Sequence, residues 1–144
     1  MRVVIDTNVF ISSFFGGKPR KVIDLWKKGE IIICLSPNIV EEYVAVLRRL
    51  GLEEDPEIGE LIDLFAKGYQ LLFTTKTPSL KVVRADPADD KFIECAVALK
   101  AQAIISGDKL LKAIGDYLGM KILGPGEFLP FFLRRLRQQE CRRL

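Results

Sequence analysis

The chain has 144 residues, 49% apolar and 28% charged, with a net charge of +3 and no histidine. That size suits one domain whose core needs no disulfide or metal staple. The missing histidine excludes Ser-His-Asp chemistry, imidazole acid–base work and His-ligated zinc. Catalysis would have to run on carboxylates, lysines, hydroxyls or a bound metal.

Cys34, Cys95 and Cys141 are odd in number and far apart, which suits neither a disulfide framework nor a zinc site. A thiol nucleophile would want a histidine partner, so the three read as small buried apolar groups. No apolar run approaches the roughly 18 residues of a membrane span, and only Arg2 precedes the first apolar residues. An intracellular protein without a secretory signal or membrane association is expected.

Short β-branched runs alternate with amphipathic stretches, the signature of an α/β domain with a mostly parallel central sheet and helices on both faces. Val3–Ile5 reads as the first strand. Helical segments at Val9–Phe15 and Pro19–Lys28 follow it, broken at Gly16-Gly17. Ile31–Leu35 is the second strand, and Pro37–Leu50 a helix with Ser36 as cap and Pro37 in its first turn. Pro56–Gln70 continues the pattern. Either Leu71–Thr75 or Lys81–Val83 supplies a further short strand. Pro87–Lys100 is a helix capped by Asp86, and Ala103–Ile105 the next clear strand. Leu110–Leu118 is helical, Lys121–Leu123 an edge strand, and Glu127–Arg143 a last helix set off by Pro125-Gly126. No repeat or linker divides the chain, so residues 1–144 form one domain, with 129–144 as a C-terminal helical extension.

In open α/β sheets, ligands bind outside the carboxyl ends of the strands. Asp6 ends the first strand, and Asp108 follows Ala103–Ile105 through Ser106-Gly107. Asp86, Asp89 and Asp90 begin the helix that leads into that strand. At about 100° per residue, Ile39, Val40, Tyr43, Val46, Leu47 and Leu50 share one stripe. Glu41 then faces solvent, whereas Glu42 lies on the flank of the stripe, where core meets cleft. Each aspartate also has a plain role open to it, as a helix cap stabilising by about 1 kcal/mol. If the fold brings these acids together, two charges 4 Å apart repel by about 4 kcal/mol at an effective dielectric of 20. Such a cluster needs a counter-charge, and all-oxygen donors suit Mg²⁺ or Mn²⁺.

Four stretches, in this order and spacing, resemble the PIN-domain ribonuclease family. They are Val4-Ile5-Asp6-Thr7-Asn8-Val9, Leu35-Ser36-Pro37 through Glu42 to Leu47, Asp86-Pro87-Ala88-Asp89-Asp90-Lys91-Phe92, and Ala103-Ile104-Ile105-Ser106-Gly107-Asp108. The resemblance runs from Met1 to about Phe128. It implies a sheet of order 3-2-1-4-5 and an acidic quartet at Asp6, Glu42, Asp90 and Asp108. Asp6, Asp90 and Asp108 would ligate Mg²⁺ or Mn²⁺, with Glu42 as ligand or water-orienting base. Asn8 and Ser106 would support the acids through hydrogen bonds. The spacing selects Asp90, although the helical phase puts Asp89 slightly nearer the apolar face; Asp86 and Asp89 become caps or supporting acids.

What the resemblance implies is a metal-dependent endoribonuclease, with the toxin of a toxin–antitoxin pair (VapC-like) as its cellular role. RNA would be the substrate, an antitoxin protein a partner, and a homodimer the assembly. Two other readings stay open. One is a catalytically weak PIN-like module that binds RNA or a partner. The other is an acid-pocket phosphotransfer domain, disfavoured because the first loop lacks an Asp-x-Asp-x-Thr pattern. Beyond Phe128, an apolar cluster precedes Arg134, Arg135, Arg137, Arg142 and Arg143. It reads as a core-capping helix with a solvated tail, or as a contact for RNA or a second subunit.

Overall fold

A computed structural model describes residues 1–143, the side chain at position 143 apart. The end of the basic C-terminal stretch, Leu144 and the Arg143 side chain, lies outside the described residues. Strand β1 (Arg2–Ile5) pairs in parallel with β2 (Ile32–Leu35) on one side and β4 (Ala103–Ile105) on the other. Val3, Val4 and Ile5 are all wholly buried. A strand covered by helices on both faces has no solvent side, so it reads as a continuous apolar run rather than an alternation.

Beyond β2 lies β3 (Leu71–Phe73), also parallel, and beyond β4 lies β6 (Met120–Leu123), parallel as well. These five strands follow the expected 3-2-1-4-5 arrangement. A two-residue strand, β5 (Asp116–Tyr117), adds an antiparallel margin, so the full order is β3-β2-β1-β4-β6-β5. Lys121–Leu123 is therefore not the edge. The helix expected to reach Leu118 stops at Ile114 (α6, Lys109–Ile114), because Gly115 takes φ +70° and turns the chain. Leu118 and Gly119, both at positive φ, then close a tight hairpin from β5 to β6.

Helices α1 (Thr7–Ser12) and α2 (Gly17–Lys27) follow β1, separated by a 3-10 turn over Ser13–Phe15 and by Gly16 at φ +96°. Helix α3 (Pro37–Arg49) starts at a proline, whose missing N–H costs nothing in a first turn. Helix α4 (Pro56–Ala66) ends earlier than its pattern suggests, before Gly68 at φ +69°. A 3-10 turn over Pro87–Asp89 leads into α5 (Asp90–Ala98). Helix α7 (Pro125–Arg143) takes in Pro125 and Gly126, which the sequence suggests as separators.

The core is aromatic where helices meet. Phe10 stacks on Tyr43 with ring centroids 4.1 Å apart, joining α1 to α3, and the Tyr43 hydroxyl donates to the Ile5 carbonyl. Trp26, wholly buried, donates from Nε1 to the carbonyls of Tyr69 and Gln70, both at 3.2 Å, which ties α2 to the approach to β3. Phe128 and Phe132 bury the first turns of α7, while residues 133–142 are exposed on all sides. No helix among the described residues is long and apolar enough to cross a membrane.

Candidate acid centre

From β1 the chain crosses first to β2 and β3, then returns to β4 on the opposite side of β1. The carboxyl ends of β1 and β4 therefore flank the point where the winding reverses, the place where open α/β sheets bind ligands. Asp6 and Ser106 are the residues that leave those two ends. Asp6 donates its backbone N–H to the Ile105 carbonyl at 3.0 Å, which continues the β1–β4 ladder into the site. Its side chain caps α1, with Oδ1 accepting from the Val9 amide at 2.8 Å, and Oδ2 accepts from the Ser106 hydroxyl. Ser106, wholly buried, also accepts from the Asp108 amide at 3.0 Å. Asp108 in turn caps α6, accepting at Oδ1 from Leu110 (2.8 Å) and Leu111 (3.2 Å). The capping and site roles thus coincide in the same carboxylates.

Glu42 reaches the centre from α3. Glu41 is exposed and Glu42 partly buried, as the helical phase requires. Glu42 Oε2 lies 2.5 Å from the ammonium of Lys91 on α5, in an ion pair whose side chains are 35% and 17% exposed. Lys91 is absent from the sequence-based site, although it follows directly on Asp89-Asp90. The signal was the requirement for a counter-charge, which the protein meets in part from its own chain.

The acids at the start of α5 divide their work. Asp86 Oδ1 accepts from the Ala88 amide at 3.2 Å and caps the 3-10 turn. Asp90, buried, accepts at Oδ1 from the amides of Val82 (3.1 Å) and Val83 (2.8 Å), pinning the extended segment that precedes it. That is why Lys81–Val83 forms no strand: these amides go to a carboxylate rather than to a ladder. Asp89 caps nothing, and its Oδ2 is buried with no hydrogen-bond partner. Burial first, and then the charges of Asp108, Asp86 and Asp6, push the Asp89 carboxyl up to about 6, with Lys91 opposing. Asp6 is also raised, by burial above all, with Ser106 and Val9 holding it down and Asp108 and Glu42 adding to the rise. So Asp6, Asp89 and Asp108 share one field, with Glu42 felt at Asp6. Asn8 is exposed and makes none of the hydrogen bonds that hold the acids.

Two side-chain oxygens are buried without partners among the described residues: Asp89 Oδ2 and Thr7 Oγ1. Thr7 directly follows Asp6, so both lie in motif segments. An unmet buried oxygen costs about 1–3 kcal/mol and calls for a water or an ion. The donor set is all oxygen, which fits a hard divalent cation. In their present rotamers, no three acidic or thiol side chains among the described residues converge closely enough to enclose one. The buried thiols take no part. Burial raises Cys34 to about 11 and Cys95 to about 12, while Cys141 is exposed rather than buried.

A parallel five-strand sheet, an antiparallel margin and oxygen acids at the winding reversal define an α/β domain with an acid centre. The PIN domain family pattern matches residues 2–110, and the chain belongs to the PIN-domain family. It is also similar to an uncharacterized protein of Methanocaldococcus jannaschii, 34% identical over 146 residues and spanning 92% of both chains. The family match ends in α6, so β5, β6 and α7 lie beyond it.

Proposed function

We propose that the protein is a Mg²⁺- or Mn²⁺-dependent endoribonuclease, with Asp6, Asp89 and Asp108 as the metal-holding acids. The observation that carries this is the unpartnered, buried Asp89 Oδ2 in the field of Asp108 and Asp6. Asp89 here takes the place that spacing gives to Asp90, because its Oδ2 is buried and unpartnered while Asp90 pins the Val82 and Val83 amides through Oδ1. When bound, a divalent ion supplies Lewis-acid stabilisation of a phosphodiester and a more acidic water. The chain's own residues do the positioning. Ser106 and the Val9 amide fix Asp6 in one orientation, the Leu110 and Leu111 amides fix Asp108, and Glu42 borders the cleft with one oxygen left to take a proton.

RNA as the substrate, a homodimer and a toxin's role under an antitoxin's control belong to the same proposal and draw their support from the family. An apolar groove of about 510 Å³, lined by Leu35, Val40, Val44, Ile62, Phe65 and Phe73 among others, offers a protein partner a surface. The test is cleavage of single-stranded RNA by purified protein with Mn²⁺. Asp6→Asn abolishes it without lowering the melting temperature; full activity in that variant ends the proposal. A second reading, a PIN-like binding module with weak catalysis, draws on the Lys91–Glu42 pair and on the acids' open spacing. Calorimetry that finds no Mn²⁺ uptake would favour it.

A further inference from the structure

We infer that Lys91 is the internal counter-cation of the acid centre: its ammonium holds Glu42 and stands in for a second divalent ion. The centre then takes one ion, and Glu42 stays off it. This rests on the metal-dependent reading above and says how that site is loaded.

Five ion pairs are found among the described residues, and Lys91–Glu42 is the most buried of them. The lysine side chain is 17% exposed and the glutamate 35%, whereas both partners in every other pair are 39% or more exposed. Exposed pairs contribute little. A charged side chain largely withdrawn from water is different: its charge is costly to hold there unless an anion compensates it. The pair also crosses between elements, joining α5 to α3, and is the one pair that engages an acid of the centre. Lys91's charge is felt at Asp89 too, against the effect of burial. One divalent ion would leave half the charge of Asp6, Glu42, Asp89 and Asp108 uncompensated. Lys91 supplies part of the remainder from a fixed position, at Glu42 on α3. A second ion would have to displace it from Glu42.

The experiment is calorimetry of Mn²⁺ binding to whole protein stripped of metal with EDTA. The expected result is one ion per chain for the natural sequence and for Lys91→Arg. Lys91→Met, with Glu42 released, takes up a second ion or binds the first at least tenfold more tightly. Glu42→Gln combined with Lys91→Met, which removes the pair without changing the net charge and leaves no unpaired buried ion, keeps one ion with affinity changed less than threefold. Two ions in the natural protein, unchanged binding in Lys91→Met, or a tenfold loss in the double variant each overturn the role of Lys91 and leave the metal reading standing. No uptake by the natural protein overturns both.

Discussion

The Ser106 hydroxyl donates to Asp6 Oδ2 while accepting from the Asp108 amide, so one buried serine couples the acids that leave β1 and β4. Removing it leaves the Asp6 carboxylate short of its strongest hydrogen-bond support. Ser106→Ala is expected to lower the unfolding free energy by about 1–3 kcal/mol, as for a buried polar group left unmet. It also raises the Asp6 pKa further. Urea unfolding reads the first, and carbon-13 NMR of the Asp6 carboxyl against pH reads the second. An unmoved Asp6 midpoint would sink the assignment.

The neighbours Asp89 and Asp90 should behave oppositely. Asp89→Asn removes a repelled, partnerless carboxylate, so the metal-free melting temperature holds or rises while Mn²⁺ binding is lost. Asp90→Ala strands two amides, those of Val82 and Val83, and costs about 2–4 kcal/mol. Hydrogen exchange at Val82 and Val83 should accelerate in the second variant only. The reverse pattern would return the ligand role to Asp90.

Stability of the metal-free protein should fall as pH rises from about 4 to about 6. Asp89 is pushed up to about 6 from an ordinary value of 3.8, so the folded state holds its proton more tightly than the unfolded chain does. Such a group's stabilising contribution is fully present below pH about 4 and is lost as pH passes through about 6. Asp6, raised by burial, adds in the same sense. Saturating Mn²⁺ reverses the trend, because an ion favours the unprotonated acids. Urea midpoints at several pH values, with and without Mn²⁺, measure both slopes.

Along α7, the two halves should differ sharply. Phe132→Ala is expected to cost about 3–5 kcal/mol by opening a cavity, since Phe132 is buried against the core. Arg142→Ala, at an exposed position, should stay within about 0.5 kcal/mol. Thermal melts of the two variants decide it. A large loss in the second would mean that the distal turns pack against something.

The sheet was legible because β1, β2 and β4 are covered on both faces and so carry short unbroken apolar runs. The choice between Leu71–Thr75 and Lys81–Val83 was not, because it turns on where two amides find their acceptor, and that acceptor is Asp90, seven residues or more away in the chain. Asp6, Glu42 and Asp108 could be placed from strand ends and helix phase, and Ser106 only through the family resemblance. Asp89 and Asp90 resisted for a local reason. The turn over Pro87–Asp89 is 3-10, with three residues per turn rather than 3.6, so an α-helical phase counted from Pro87 puts Asp89 nearer the apolar face, whereas Asp90 is the more buried of the two. Lys91 escaped because a cation within an acidic motif looks like a solvated neighbour until its pairing distance is known.

The two margins of the sheet are unequal. β5 offers two residues beside β6, whereas β3 presents Leu71, Leu72 and the exposed Phe73 along a side with no strand beyond it among the described residues. Growth by strand addition is therefore open in one direction only. A second copy joining edge to edge at β3 would make a closed, self-complementary pair, and the short hairpin margins at its two ends would not propagate a filament.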